Sequence, residues 1–554
     1  MTKTSASGAL AAGAALLWVG AAAAAAPAAA PAPDPRDARI EQLEAQVRQL
    51  MADHARLEAE ERDLLAKTEA LAAEADALKS GQAAQAQAVQ TVAAQIPPAP
   101  SVVTTMASGR PVLTSADGRF TTTVHAVMQL DSALYSQGAA GPIATDLRRS
   151  GPALGATAGN VDLAHARSLK DGAVFRRARL GVDGTAFGDW DYRLLLDFGG
   201  TGVENTGQVY ETWLQYNGLR PFRFRVGAFS PSIGMDDQAS TNSMPFLERA
   251  ASSDLARGLA AGDTRVAGQV QASGPHWLVS GAITGRTIGV LGTGTASAVP
   301  QTYGDPLGFV GRVAATPLHG QDWLVHVGAH GSYVAHPANA SGPDANGLVP
   351  LSARTITLAN TPQLRIDGTR LVNTGAIDAD HASTVGLEFA AQKRGLILQA
   401  EYEHFHVSRT DPGLSSPSFN GVYVEGLWML TGETRRYNPI TGAFDAAPVA
   451  QPFSLKDGTW GAWELGVRYS RLDLDYHAGA PGTAPGADAI RGGTERNFTA
   501  GLNWYPNAVI RFMLDYEHVD IDRLSPNAAV YQTPTGAQIG QTYDAVAVRS
   551  QVAF

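Results

Sequence analysis

Segments such as Phe222-Arg-Phe-Arg-Val-Gly-Ala-Phe229 and Ile510-Arg-Phe-Met-Leu-Asp-Tyr-Glu-His518 place an apolar side chain on one side of an extended chain and, at most alternate positions, a full charge on the other. Successive side chains of a strand point to opposite faces, so this is a pattern of period two. It recurs at Ala178, Leu180 and Val182 against Arg177, Arg179 and Asp183, and at Trp190, Tyr192, Leu194, Leu196 and Phe198 against Asp189, Asp191, Arg193 and Asp197. It returns at Trp463, Leu465, Val467 and Tyr469 against Glu464 and Arg468. Beyond the N-terminus no run of strongly apolar residues is long enough for a membrane helix. A chain of this composition that enters a bilayer must do so as a closed barrel. An Arg or Lys facing lipid at the midplane costs about 2–4 kcal/mol, so the charged faces are expected to line a wet lumen.

Sixteen such segments are expected between residues 120 and 554. Their connections alternate in length. Residues 184–189, 217–221, 273–276, 317–322, 393–395 and 505–508 are short turns, whereas 136–174, 230–263, 285–308 and 335–383 are long and rich in Gly, Pro and Ser. Short periplasmic turns and long extracellular loops are the asymmetry of outer-membrane barrels. One link breaks the alternation: 432–459 is long where a short turn is expected, either as a periplasmic insertion or as an unrecognised hairpin. The fold class is therefore all-β, a transmembrane antiparallel barrel of about sixteen strands, wide enough for an aqueous channel. The last strand alternates Val546, Val548, Ser550, Val552 and Phe554 against Ala547, Arg549 and Gln551. Its terminal aromatic, Phe554, is expected to serve as the signal for the barrel assembly machinery.

Ahead of the barrel the chain divides by composition. Residues 1–26 have Lys3 followed by an uncharged alanine-rich stretch, the form of a cleaved secretory signal, with the cut expected within 21–30. Residues 27–39 are a Pro/Ala linker. Residues 40–80 carry Leu43, Leu50, Leu57, Leu64, Leu71 and Leu78 at strict seven-residue spacing, with a second seam that begins at Ile40 and Val47 and then turns polar. That is a coiled coil, expected to self-associate in the periplasm. Residues 81–109 read as an Ala/Gln/Pro linker, and 110–554 as the barrel domain.

Phe175-Arg-Arg-Ala-Arg-Leu-Gly-Val-Asp-Gly184, Val226-Gly-Ala-Phe-Ser-Pro231, Phe246-Leu-Glu-Arg-Ala250, Gly421-Val-Tyr-Val-Glu-Gly-Leu-Trp-Met-Leu-Thr-Gly-Glu433, Trp460-Gly-Ala-Trp-Glu-Leu-Gly-Val-Arg-Tyr-Ser-Arg-Leu-Asp473 and Gly501-Leu-Asn-Trp-Tyr-Pro506 together resemble the phosphate-selective porin family, porins O and P. The resemblance spans about 109–554. It implies a sixteen-stranded trimeric outer-membrane channel, anion-selective in its best-known members and narrowed by an inward-folded third extracellular loop. Counted in strand order on the long-loop side, 136–174 and 199–207 precede 230–263, which is independently the third loop, and 335–383 is the fifth.

An anion filter needs positive side chains at the constriction. Candidates on lumen-facing parity are Arg177, Arg179, Arg223, Arg225, Arg312, Arg468 and Arg511; on the loop, Asp236, Asp237, Glu248, Arg249 and Arg257 are candidate constriction residues. Arginine's forked donors match phosphate and carboxylate oxygens. The alternative is that the arginines pair with Asp183, Asp191, Asp197, Glu388, Glu401 and Glu403 across the lumen. Two features pull away from phosphate: Lys170, Lys393 and Lys456 are the only lysines beyond the coiled coil, and Ser230 stands where the family often has lysine. The expected function is passive diffusion of small hydrophilic solutes with anion preference, phosphate and related oxyanions being candidates. A weakly selective general porin and an outer-membrane tether are the alternatives.

No cysteine is present, which removes thiol chemistry and disulfides, and no G-x-S-x-G, phosphate-binding P-loop or H-E-x-x-H motif occurs. No catalytic residue, cofactor or metal is expected. His326 and His330 read as lumen lining. The net charge of −10 and the lack of a basic cluster argue against nucleic acid. The expected partners are outer-membrane lipid, two further copies of the chain in a homotrimer, and small anionic solutes.

Overall fold

The computed structural model describes residues 35–95, 102–107, 109–137, 169–200, 208–261, 264–288, 306–337, 354–525 and 535–554. The chain divides into two units, Met1–Ala99 and Pro100–Phe554. The signal peptide with its cleavage region lies outside the described residues, as does the 27–34 part of the linker.

Within the first unit, one helix of 61 residues runs over Pro35–Gln95. Pro35 opens it, where a missing N–H costs nothing because the first turn has no acceptor for it. The helix takes in residues 81–95 as well as the heptads, because Ala is the best helix former and Gln is close behind it. Pairs four residues apart, Glu44 with Arg48, Glu58 with Arg62 and Asp63 with Lys67, support its sides. The six heptad leucines are all exposed on this single chain.

In the second unit, eighteen strands form one sheet, of which Val103–Ala107 and Arg110–Thr114 make an N-terminal ribbon. The ribbon pairs with the start of the first barrel strand, Val112 opposite Thr123. The other sixteen close on themselves. They are β1 Thr121–Gln137, β2 Gly172–Ala186, β3 Trp190–Asp197, β4 Gln208–Tyr216, β5 Phe222–Phe229, β6 Arg265–Ser273, β7 Trp277–Thr287, β8 Leu307–His319, β9 Trp323–His336, β10 His381–Lys393, β11 Leu396–Ser408, β12 Ser418–Met429, β13 Ala462–Tyr476, β14 Ile490–Tyr505, β15 Ile510–Asp522 and β16 Thr542–Ala553. Each is antiparallel to its neighbour in sequence, and β16 pairs with β1 from Val127 opposite Ala553 to Gln137 opposite Tyr543. Phe554 adds the last rung: its N–H donates to Ala126 at 2.9 Å and its carbonyl accepts from Ala126 at 2.8 Å. Closure leaves none of the sixteen described barrel strands at a sheet edge, the condition for strands in hydrocarbon.

The burial pattern is that of a soluble protein turned inside out. Along β15, Arg511, Asp515 and Glu517 are buried while Phe512, Leu514 and Tyr516 are 41–44% exposed. Aromatic rings collect at the short-turn ends: Trp463 stacks on Trp504 at 5.7 Å, Trp504 on Phe512 at 5.5 Å, and Trp190 lies 4.8 Å from Tyr216. Such a girdle marks the membrane–water interface. Among the described residues no helix is long and apolar enough to cross a membrane.

The link between β12 and β13 supplies no extra barrel strand. It contains a small hairpin, Tyr437–Asn438 paired with Ala443–Phe444, and folds into the bore: Arg435, Ala443 and Phe444 are buried. Both readings of 432–459 are met in part: the link is an insertion folded into the bore, and it carries a small hairpin that adds no barrel strand.

Candidate functional site

The third long loop crosses the bore. From β5 it runs through short helices at Met235–Gln238 and Ala251–Ala256 and a π-turn at Arg257–Ala261 before returning to β6. Its backbone is gripped by lumen side chains of distant strands. Asp515 on β15 accepts from the Leu247 N–H at 2.8 Å, Arg549 on β16 donates to the Leu247 carbonyl at 2.7 Å, and Arg468 on β13 donates to the Glu248 carbonyl at 3.0 Å. Glu401 on β11 accepts from the N–H groups of Met235 and Asp236. Phe246 is fully buried because Gly466 and Gly501, paired across β13 and β14, leave space for its ring. A Cβ at Gly466 would sit 2.9 Å from that ring.

The expected arginines all reach the lumen, and each is held. Arg177 donates to Gln129 at 2.7 Å and lies 3.4 Å from Glu248. Arg179 pairs with Asp197 at 2.7 Å and stacks over Tyr210 at 3.6 Å. Arg225 stacks over Trp213 at 4.3 Å and donates to Gln215 at 2.9 Å, while Arg223 donates to Ser273 at 2.7 Å. Arg312 makes two bonds to Glu388, at 2.8 and 2.7 Å, and two more to the carbonyls of Thr441 and Gly442 in the inward-folded link. Arg468 lies 4.5 Å over Phe246 and donates to Gln363 of the fifth long loop; Arg511 donates to Asn503 at 2.9 Å and lies 4.9 Å over Tyr505. The pairing alternative thus holds for Arg179 with Asp197 and Arg312 with Glu388. Among the described residues, Arg177, Arg468 and Arg511 each keep a buried Nε with no protein partner.

On the loop, Asp237 takes Arg257 at 2.8 Å, and Arg249 donates to the carbonyls of Asp236, Asp237 and Ala239. These residues brace the loop against itself. The Glu248 side chain reaches the wall, where Arg176, Arg177 and Arg549 converge on its carboxylate at 2.6, 3.4 and 3.2 Å.

Two members of that trio fell outside the expected set. Strict alternation assigns Arg176 to lipid, but the register between β1 and β2 slips between Gln129 and Leu130, whose partners are Arg177 and Phe175. The bulge skips Arg176 in the ladder register and lets it point inward beside Arg177. A charge at the wrong parity was the available signal. Arg549 had lumen parity, and it forms a two-pronged pair with Asp131, both contacts at 2.6 Å. Arg435, in the irregular link, pairs with Glu464 at 2.7 Å, and no periodicity could have placed it.

The lumen is electrostatically lopsided. Among the described residues, β10–β15 bury the carboxylates Glu388, Glu401, Glu403, Glu425, Glu464, Glu495, Asp515 and Glu517 against the arginines Arg468, Arg491 and Arg511. Arg176, Arg177, Arg179, Arg193, Arg223 and Arg225 lie on β2–β5. A cavity of about 650 Å³ opens beside the short turns and is lined by Arg220, Arg223, Asp189, Asp191 and Asn217. His326 and His330 line the wall, with His326 Nε2 3.0 Å and His330 Nδ1 2.8 Å from Glu388.

The sequence profile described as phosphate-selective porin O and P matches residues 154–554. Porin O of Pseudomonas aeruginosa is 25% identical over 365 residues, covering 64% of this chain and 78% of that protein. Among solved structures, OmpT of Vibrio cholerae is 10% identical with a TM-score of 0.42, covering 80% of this chain and all of that one. An anion-selective porin from Comamonas acidovorans is 12% identical with a TM-score of 0.41, covering 78% of this chain and 100% of that one.

Proposed function

Because the chain belongs to the phosphate-selective porin O and P family and is an outer-membrane β-barrel channel, we propose that it passes small hydrophilic solutes by diffusion with a preference for anions, oxyanions of the phosphate type among them. The observation that carries this reading is the convergence of Arg176, Arg177 and Arg549 where the third loop meets the wall. Three guanidinium groups share one loop carboxylate there. With Asp131, which also pairs with Arg549, the cluster sets three guanidinium groups against two carboxylates and keeps one positive charge in excess, and the walls of a narrow pore impose the sign of such a ring on what passes. The unpartnered Nε groups of Arg177, Arg468 and Arg511 are donors to which an anion can turn.

The test is a reversal potential across a planar bilayer in a salt gradient, with single-channel conductance in chloride and phosphate, polyphosphate and sugars as blockers. Anion preference that falls in Arg176→Gln and Arg177→Gln, with block by phosphate, supports the proposal. Cation preference in the unaltered protein overturns the selectivity. The eight buried carboxylates of β10–β15 favour a second reading, a weakly selective general porin, which predicts a reversal potential near zero.

The assembly belongs to the same proposal. The exposed stripe from Leu43 to Leu78 fits a coiled coil in the periplasm that joins three copies, with Phe554 as the strand-end signal for barrel assembly. Cross-linking that traps nothing beyond a monomer would overturn the trimer.

A further inference from the structure

Where the third loop leaves β5, three strands bring titratable groups together behind it. His330 on β9, Glu388 on β10 and Glu401 on β11 are buried, and one ligand atom of each lies within 4.8 Å of the others. Glu403, two residues along β11, faces the same imidazole: its Oε1 is 2.8 Å from His330 Nε2, while its Oε2 is buried with no partner among the described residues. Asp236, whose N–H bonds Glu401 at 3.2 Å, also keeps a buried carboxylate oxygen, Oδ2, with no partner. Glu388 is neutralised by Arg312. Among the described residues neither Glu401 nor Glu403 has an ion pair with arginine or lysine. Carboxylates taken out of water without a cation are costly, so the place is short of positive charge.

Backbone shape leaves room at this point. A Cβ at Gly386 on β10 would stand 2.1 Å from His330 Nε2 and 2.6 Å from Glu403 Oε2, so only glycine there lets imidazole and carboxylate meet. With no metal bound, each ring nitrogen of His330 faces a carboxylate oxygen at 2.8 Å, and a proton lies in each of the two contacts. A cation can take the place of one of those protons, the imidazole turning its freed lone pair to the metal.

We propose that His330, Glu388 and Glu401 form a divalent-cation site of zinc type in the lumen wall, beneath the third loop, with Glu403 positioning the imidazole through its other ring nitrogen. One nitrogen with carboxylate oxygens is a donor set for Zn²⁺, with bonds of about 2.0–2.2 Å. Calcium takes six or more oxygens and no imidazole. Because Glu401 also holds the N–H groups of Met235 and Asp236, the ion ties the loop to β9–β11.

The experiment uses the full chain, purified in detergent and stripped with EDTA. ZnCl₂ is titrated calorimetrically, and Co²⁺ is added as a spectroscopic probe for tetrahedral absorption bands. Saturable binding at one site per chain is expected, weakened at least about tenfold in Glu403→Gln, His330→Gln and Gly386→Ala. Binding should be unchanged in His404→Gln, whose ring bonds Asn420 on the exposed face. Glu403→Gln keeps the side-chain volume, so heat-modifiable migration in gels confirms its fold before titration. Absence of saturable binding in the unaltered protein overturns the site. So does equal affinity in the folded Glu403→Gln variant.

Discussion

Arg549 shows how single residues hold this barrel. It is 1% exposed, and its guanidinium joins the closing strand to the first strand through Asp131 and to the third loop through the Leu247 carbonyl and Glu248. Replacing one partner of a buried pair strands the other charge, at a cost of about 3–5 kcal/mol. Arg549→Ala should therefore lose that much in denaturant unfolding from micelles, and adding Asp131→Asn should restore part of it. A loss under about 1 kcal/mol, as for an exposed pair, would mean that pore water already solvates both groups.

At the scale of elements, loops fix one another by backbone hydrogen bonds to carboxylates. Asp378, at the end of the fifth long loop, accepts from the N–H groups of Thr410 and Asp411 at 3.1 Å and pairs with Arg409 at 3.0 Å. Its partial burial opposes ionisation, but the amides of Asp411 and Thr410, the Thr410 hydroxyl and Arg409 hold its carboxyl below the usual aspartate range. A depressed folded value means the contribution is complete above the unfolded pKa, near 3.9, and is lost as pH falls through the lower folded value. Proteolytic nicking at 409–417 should stay slow down to about pH 4 and rise below it. Asp378→Asn should nick at the same faster rate at neutral pH, and nicking independent of both would dismiss the clasp.

The inward-folded link makes the second prediction at this scale. Its carbonyls bind Arg312, Arg435 within it binds Glu464, and the Ile440 carbonyl accepts from Gln271 at 2.7 Å. Replacing residues 437–444 with a two-glycine turn removes material from the bore without touching a barrel strand. Single-channel conductance should rise; an unchanged conductance would place the narrowest point wholly at the third loop.

For the whole molecule, the helix and barrel are separate units with opposite needs. The barrel satisfies its own hydrogen bonds by closure, whereas the leucine stripe of the helix is exposed among the described residues. Deleting residues 40–80 should leave a conducting barrel in planar bilayers while reducing the yield of cross-linked oligomer. Loss of conductance in a correctly folded deletion variant would tie the helix to the channel itself.

The sequence by itself determined the strand count, the two faces and the closing strand. Each follows from nearest-neighbour geometry: side chains alternate by necessity, and Leu180, Leu514 and Val548 cannot share a side with Arg179, Asp515 and Arg549. Where alternation fails, at the Arg176 bulge and the irregular link, the sequence signalled a fault without saying what filled it. Only the tertiary structure decided which charges meet. Glu248 with its three arginines, Arg312 with Glu388 and the carboxylates around His330 join strands and loops dozens to hundreds of residues apart. Their meeting depends on barrel curvature and on loops that turn inward, and neither is written in the local pattern of any strand.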